Sequence, residues 1–467
     1  MIHVIGGGLA GCEAAWQAAT LGVPVTVYEM RPGTRTRVHQ TDQLAELVCS
    51  NSFRGAALEN AVGLLKEEMR SLGSLVMRVA DAARVPAGGA LAVDRQRFAE
   101  GMTRAIECHP LITVRREELT RIPDASPASP VVVATGPLTS DSLSRDVVDR
   151  VGAEQLYFYD AISPIVEAGS IDRTTAFAAS RYGRDTVQSV GGQSESEPIE
   201  PSAGDYLNCP LDEAQYVAFH TAVVTAEHAE VHDFDHTKFF EGCLPVEVMA
   251  YRGLDTLRFG PMKPVGLRSP VTGLRPHAVV QLRQDDLAAE HYNLVGFQTQ
   301  LKWGEQKRVF RMIPGLEQAE FVRYGMIHRN TYINAPNVLT PSWQTRQDPS
   351  LFFAGQISGV EGYVESAASG LLAGLGAAAL STDAAISVPP RTTALGALAY
   401  YVSHANPANY QPTNVAFGLL PPLERPPRKK RERRLAMAKR ALTDLAAWRG
   451  RPPTEATTDE RTARVIS

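Results

Sequence analysis

The most constraining stretch of this chain is its beginning, His3-Val4-Ile5-Gly6-Gly7-Gly8-Leu9-Ala10-Gly11-Cys12-Glu13. An apolar run short enough for one buried strand passes into Gly6-x-Gly8-x-x-Gly11 and then into Glu13-Ala14-Ala15-Trp16-Gln17-Ala18-Ala19, which reads as strand, phosphate loop and helix. In such a loop Gly6 permits the tight turn, Gly8 lets a pyrophosphate approach the backbone, and Gly11 lets helix pack closely on strand. The N–H groups left over at the helix start then face the phosphates. By itself this pattern also fits a glycine-rich turn with an incidental acid after it. Here a second apolar run, Val23-Pro24-Val25-Thr26-Val27-Tyr28, follows at the crossover distance of a βαβ unit and ends in Glu29, placed for ribose hydroxyls. The combination points to a dinucleotide site.

A chain of 467 residues exceeds the size at which one core stops growing, so at least two domains are expected. No run approaches the roughly 18 apolar residues of a membrane span, and nothing resembles a signal peptide. Cys12, Cys49, Cys108, Cys209 and Cys243 are too scattered for a disulfide framework or a zinc site, so the expectation is a cytoplasmic protein with no metal. The net charge of −4 means that any affinity for nucleic acid must come from a local basic patch.

Along the chain, Leu44-Ala45-Glu46-Leu47-Val48-Cys49 leads into the turn-prone Ser50-Asn51-Ser52-Phe53-Arg54-Gly55, which would put the Cys49 thiol at the end of an element. The bland reading of Cys49 is a small buried hydrophobe. Leu58 to Met77 carries Leu64, Leu65, Met69 and Leu72 at helical spacing and predicts one helix. Ala90-Leu91-Ala92-Val93 predicts a strand running into a helix capped by Asp94. Pro130-Val131-Val132-Val133-Ala134-Thr135-Gly136 is a buried-strand run of the kind that flavoproteins bring back beside the first strand. From about Leu156 the pattern changes to short strands and polar turns, with a Ser-, Gly- and Glu-rich loop at 184–205. Cys243, between Gly242 and Leu244-Pro245, is expected outside regular helix, with Lys238, Arg252 and Lys263 as candidate cationic neighbours. Cys209 reads as structural.

Leu351-Phe352-Phe353-Ala354-Gly355-Gln356 predicts a further strand, then a glycine-rich turn to Gly362-Tyr363 and a small-residue helix over 367–379, whose N-terminus would meet a flavin or its pyrophosphate. The cofactor domain is thus expected to be discontinuous, 1–155 and 326–467, with a substrate domain inserted at 156–325. Arg425 to Arg440 holds nine basic residues against Glu432 alone. With Leu435, Ala438, Leu442, Leu445 and Trp448 at helical spacing, 425–449 predicts a basic amphipathic helix, either a solvated face or a phosphate-binding one.

Several segments together resemble the folate- and FAD-dependent tRNA uracil-5-methyltransferases, the TrmFO family. They are Gly6-Gly7-Gly8-Leu9-Ala10-Gly11, Val27-Tyr28-Glu29-Met30-Arg31-Pro32, Leu47-Val48-Cys49-Ser50-Asn51-Ser52-Phe53, Tyr206-Leu207-Asn208-Cys209-Pro210, Phe240-Glu241-Gly242-Cys243-Leu244-Pro245, Phe259 to Leu267 and Gly355 to Tyr363. The resemblance runs to about residue 423 and departs at 184–205 and in the tail beyond about 449.

It implies an α/β fold: an FAD-binding Rossmann-like domain of the two-dinucleotide-binding type with an inserted α+β substrate and tRNA domain. The implied reaction methylates C5 of uridine 54 in the tRNA T-arm, with carbon from methylenetetrahydrofolate and electrons from NAD(P)H. Uracil C5 becomes nucleophilic only after a thiolate adds to C6, and a base must then remove the C5 proton. By motif position Cys243 is the nucleophile and Cys49 the thiol beside the flavin. The implied FAD-binding set is Gly6, Gly7, Gly8, Leu9, Ala10, Gly11, Glu29, Arg31, Gly136, Gly355, Gln356, Gly362 and Tyr363. Tyr324 and His328 are candidates for stacking on pterin or flavin, against a plain hydrogen-bonding role for the histidine. The competing readings are a flavoenzyme modifying the tRNA wobble uridine, a small-molecule flavin-dependent oxidoreductase and a non-catalytic RNA binder. The Cys49 and Cys243 segments argue against the first and the last, and the lack of a local Cys-x-x-Cys argues against a redox dithiol.

Overall fold

In the computed structural model, β1 (Ile2–Ile5) and β2 (Val25–Tyr28) pair in parallel from Ile2 opposite Val25 to Ile5 opposite Tyr28, with α1 (Leu9–Thr20) as the crossover. The structure describes residues 1–36, 38–152, 156–181, 204–229 and 244–450, without the side chains of 156–160 and 327–329. Val131–Val133 returns beside β1 and Leu351–Phe353 lies outside it, while Ile112–Arg115 extends the β2 edge, giving a five-stranded parallel sheet. Helices cover the sheet, which is why its inner strands read as unbroken apolar runs rather than alternating ones.

Helix Tyr363–Ser381 packs along α1. Its small residues have a definite reason: a Cβ on Gly370 would lie 2.1 Å from the Ala10 carbonyl oxygen, and one on Gly374 would lie 2.4 Å from that of Ala14. The two backbones therefore touch, and only glycine fits between them. This helix is also long and apolar enough to cross a membrane by length and composition, contrary to the sequence reading, but 72% of its apolar window is buried inside the fold. Its apolarity is that of a core helix.

One buried apolar cluster surrounds the parallel sheet, and a second, separate from it, forms on a six-stranded sheet. Its strands run in the order 177–178, 206–211, 278–284, 291–294, 165–167 and 321–323, all pairings being antiparallel. Helix Glu213–Thr225, started by a capping box between Asp212 and Gln215, packs its Tyr216, Phe219 and Val223 into this cluster. Cys209 is fully buried there, so its thiol is pushed far up by desolvation, in keeping with a structural role. The chain passes between the two clusters through the antiparallel pair Leu156–Ala161 and Ile327–Tyr332.

Three sequence expectations need correction. The single helix over 58–77 is two helices, Ala61–Ser71 and Leu75–Ala82, because Gly73 adopts φ +74 and Ser74 caps the second by accepting from Met77 N–H. Cys49 does not end a regular element; it lies in an irregular segment leading into strand Ser52–Gly55. The basic helix begins at Lys430 rather than 425, and it buries Met437, Ala438, Ala441 and Leu445 while Leu435 is exposed. The strand Ala90–Val93 and the Asp94 cap, which accepts from Arg97 N–H, stand as read.

Candidate active site

The loop between β1 and α1 opens into a cleft of about 1060 Å³, the open solvent at its mouth included. Gly6, Gly7, Gly8, Leu9, Ala10, Glu29, Arg31, Gly136, Gly355, Gln356 and Tyr363 all line it. Two residues of the expected set do not. Gly11 sits behind the loop, where a Cβ would come within 1.9 Å of the Gly6 carbonyl oxygen. Gly362, at φ +104, starts the Tyr363–Ser381 helix beside Arg54 and Glu365. Both shape the wall rather than face the cleft.

The glycines divide by what surrounds them. A Cβ on Gly6 would strike the Ala134 carbonyl and one on Gly7 the side chains of Leu44 and Glu29, whereas Gly8 has nothing within 4 Å. Gly8 therefore borders open cleft at the start of α1, where the first-turn N–H groups lack helical acceptors. Such an opening at a helix start suits a pyrophosphate, and the residues present fit FAD.

Glu29 is held for its task. Its Oε2 accepts from Gly7 N–H at 3.0 Å and its Oε1 from the N–H and Nε of Arg31 at 3.0 and 2.9 Å. Burial pushes this carboxyl up, but the Arg31 hydrogen bond and charge and the two backbone donors outweigh it, leaving the group below the usual carboxylate range. Glu29 is thus an oriented anion with acceptor capacity to spare. Arg31, almost fully buried, also pairs with Glu46 at 3.1 Å, so it orders the wall through carboxylates. His39, which sequence reasoning missed, lines the same wall; burial and the nearby Arg31 lower it to about 4, so the ring is neutral at pH 7.

Val48 also lines the cleft, and the next residue is Cys49. The N–H groups of Cys49 and Ser50 donate to the Tyr363 hydroxyl at 2.8 and 3.1 Å, fixing the thiol-bearing segment to the start of the Tyr363–Ser381 helix. Cys49 is half-buried, and its Sγ is 3.9 Å from the Ala161 carbonyl oxygen. Past the thiol, Lys66 Nζ donates to the carbonyls of Phe53, Arg54 and Gly55, which pins the strand that follows. Asn51 reaches the second cluster, donating to Gln284 O at 3.0 Å and accepting from Arg283 Nε at 2.8 Å. The first cluster therefore carries Cys49, and the second braces it.

Cys243 and Lys238 lie outside the described residues, as do 184–203 of the expected loop and the tail beyond 450. Tyr324 stacks on Trp303 (5.6 Å between centroids, 14° between planes) and on Phe321 (5.4 Å, 18°), so its ring is engaged within the protein. The side chain of His328 is outside the described residues. Among the described residues no group of His, Cys, Asp or Glu could hold a metal ion.

The basic helix spends part of its charge on the fold. Arg440 donates to the carbonyls of Pro421 and Pro422, Arg434 sits 5.8 Å from the Phe417 ring centre, and Arg431 pairs with Glu59 at 3.5 Å. Arg425, Arg428, Lys430, Arg433 and Lys439 are exposed and make no ion pair or side-chain hydrogen bond among the described residues.

Residues 1–385 match the family model described as glucose inhibited division protein A. The methylenetetrahydrofolate--tRNA-(uracil-5-)-methyltransferase TrmFO of Desulforudis audaxviator is 58% identical over 448 residues, 96% of this chain and 98% of that protein. That of Enterococcus faecalis is 55% identical over 441 residues, 94% and 97% of the two chains. The chain belongs to the TrmFO family. The Aquifex aeolicus GidA structure, at 18% identity and a TM-score of 0.66, covers 96% of this chain and 73% of that one, and shares the fold.

Proposed function

We propose that this protein transfers the methylene carbon of methylenetetrahydrofolate to C5 of uridine 54 in the T-arm of tRNA, using bound FAD and NAD(P)H, and yields 5-methyluridine. The observation that carries this reading is the Cys49 segment: its backbone is bonded to Tyr363 in the cleft wall, beside a cradle for a dinucleotide. A plain flavin oxidoreductase needs no thiol there, whereas a pyrimidine 5-methyltransferase needs thiol chemistry within reach of the one-carbon unit. FAD, when bound, supplies the redox chemistry that reduces a transferred methylene to a methyl.

The chain's own part is to hold, orient and move protons. Gly8 and the start of α1 take the pyrophosphate, Glu29 the ribose, and Gly136, Gly355 and Gln356 the remaining wall. Cys243 adds to uracil C6 so that C5 becomes nucleophilic, and expulsion of that thiolate after C5 deprotonation restores the ring. Cys49 serves beside the flavin, as base toward the C5 proton or in handing over the carbon. The separate apolar clusters support a division into a cofactor domain, 1–155 and 326–467, and a substrate domain, 156–325. Exposed Arg425, Arg428, Lys430, Arg433 and Lys439 hold RNA phosphates. A tRNA substrate puts the reaction in the cytoplasm.

The test is a T-arm RNA carrying 5-fluorouridine at position 54, incubated with folate and reductant. Fluorine leaves no C5 proton to remove, so the thiol that adds to C6 stays attached. A covalent adduct mapping to Cys243, absent in Cys243→Ala, is expected. An adduct mapping to Cys49 in a Cys243→Ala protein that still methylates would reverse the two roles, and no adduct in the native protein would remove the uracil chemistry.

A further inference from the structure

Arg95 is an odd choice for its position. It is the first residue of helix Arg95–Glu107, where a cation opposes the helix dipole and an acid would be favoured. Its side chain is only 16% exposed. Its bonds explain the placement: Nε contacts both oxygens of Asp285 at 2.9 and 3.2 Å, and Nη1 donates to the carbonyl of Leu47, two residues before Cys49. On the other side Arg283 Nη2 donates to Ser50 Oγ at 2.8 Å and Nε to Asn51, the two residues after Cys49. Two guanidinium groups therefore grip the segment on either side of the thiol. Arg323, tethered through Nη2 to Val38 O at 3.4 Å, is a third cation within charge range of Cys49.

Around the thiol the charges of the described residues do not balance. Among the described residues, Arg95, Arg283 and Arg323 face one carboxylate, Asp285, and two phenols, Tyr363 and Tyr206, both of which burial keeps protonated. Arg95 Nη2 and Arg323 Nε are buried with no hydrogen-bond partner among the described residues. Buried cations normally have counter-charges, because leaving one unpaired is costly. A deprotonated sulfur supplies the missing negative charge.

We propose that Arg95, Arg283 and Arg323 hold Cys49 as a thiolate at neutral pH, with Arg95 as the principal positioning residue. The proton leaves to solvent, and the sulfur is then ready either to accept the C5 proton or to attack a carbon centre. This deepens the assignment of Cys49 made above and rests on it. The readout nevertheless needs no turnover.

The test is the pH dependence of iodoacetamide alkylation at Cys49 in the FAD-loaded protein, followed by mass spectrometry of its peptide, with exposed Cys108 as internal reference. The native Cys49 midpoint should lie below the roughly 8.5 of a free thiol. Arg95→Met should raise it by about one unit, which is about a tenfold slower reaction at pH 7, and Arg95→Lys should restore part of it. Arg323→Met should act in the same direction; its single long tether makes it the variant that removes charge with least effect on folding. The Cys108 profile should not move. A Cys49 midpoint unchanged in Arg323→Met, or one shifting in parallel with Cys108, would overturn the proposal. Either result would leave the methylation reading standing, since that depends on the RNA product.

Discussion

Gly8 and Gly11 lie in one loop, yet their surroundings predict opposite consequences for the same added methyl. A Cβ on Gly11 would come within 1.9 Å of the Gly6 carbonyl oxygen, a backbone atom that cannot swing aside. Gly11→Ala must push α1 away from β1, a cost at the top of the over-packing range, about 3 kcal/mol. Gly8 has a φ of −77, and a methyl added there would meet nothing within 4 Å, so the flavin-free fold tolerates alanine. Its poorer N-cap quality is offset by lower freedom of the unfolded chain, leaving a net change under about 1 kcal/mol. That same methyl points into the space where a pyrophosphate comes closest. An overlap of about 3 kcal/mol there corresponds to roughly a hundredfold loss of FAD affinity. The assay pairs urea denaturation of flavin-stripped protein with FAD titration followed by flavin fluorescence. Gly8→Ala should unfold like the native chain and bind FAD weakly, while Gly11→Ala should unfold early. Native FAD affinity in Gly8→Ala would refute the placement of the pyrophosphate, and an equal loss of flavin-free stability in both variants would refute the division of labour.

Two further outcomes follow from charge. Glu68 is fully buried and accepts from Ala394 and Leu395 N–H, but burial outweighs those bonds and raises its carboxyl to about 8. A folded value above the unfolded one gives a contribution that is full below the ordinary carboxyl range and lost as pH rises through about 8. Glu68→Gln should therefore show a smaller fall in urea midpoint between pH 6 and pH 9 than the native protein, and equal falls would contradict that origin. Replacing Arg428, Lys430, Arg433 and Lys439 with Ala should flatten the log–log salt dependence of tRNA binding by up to about 3.5 without changing which nucleotide is modified. An unchanged slope would make this helix an ordinary solvated face.

What the residues alone make legible is local. The run from His3 to Glu29 signals strand, loop, helix and strand because each signal lies within a few residues of the next. Gly136 and Gly355 stand out because each follows an apolar strand run, and both reach the cleft from the same side of β1, Gly136 after the strand beside it and Gly355 after the next strand out. The environment of Cys49 is not legible in the same way. Arg95, Asn51, Arg283 and Asp285 meet across as many as 234 residues, and no periodicity marks a long-range hydrogen bond. Arg95 does carry a signal, a base directly after a helix cap, where the dipole argues for an acid. His39 and Glu46 have none beyond their closeness in sequence to the Cys49 segment. The helix break at Gly73 is masked for a different reason: four apolar residues at helical spacing hide a glycine whose positive φ ends the helix.

The central claim, that carbon passes from a folate to C5 of uridine 54, is tested most directly by isotope. A T-arm transcript is incubated with the FAD-loaded protein, NADPH and methylenetetrahydrofolate labelled with carbon-13 in its methylene, and the nucleosides are weighed. The account predicts 5-methyluridine one mass unit heavy, found at position 54 alone and absent when that uridine is replaced by cytidine. Unlabelled methyluridine, label in any other nucleoside, or NADPH oxidation with no methylated product would contradict it.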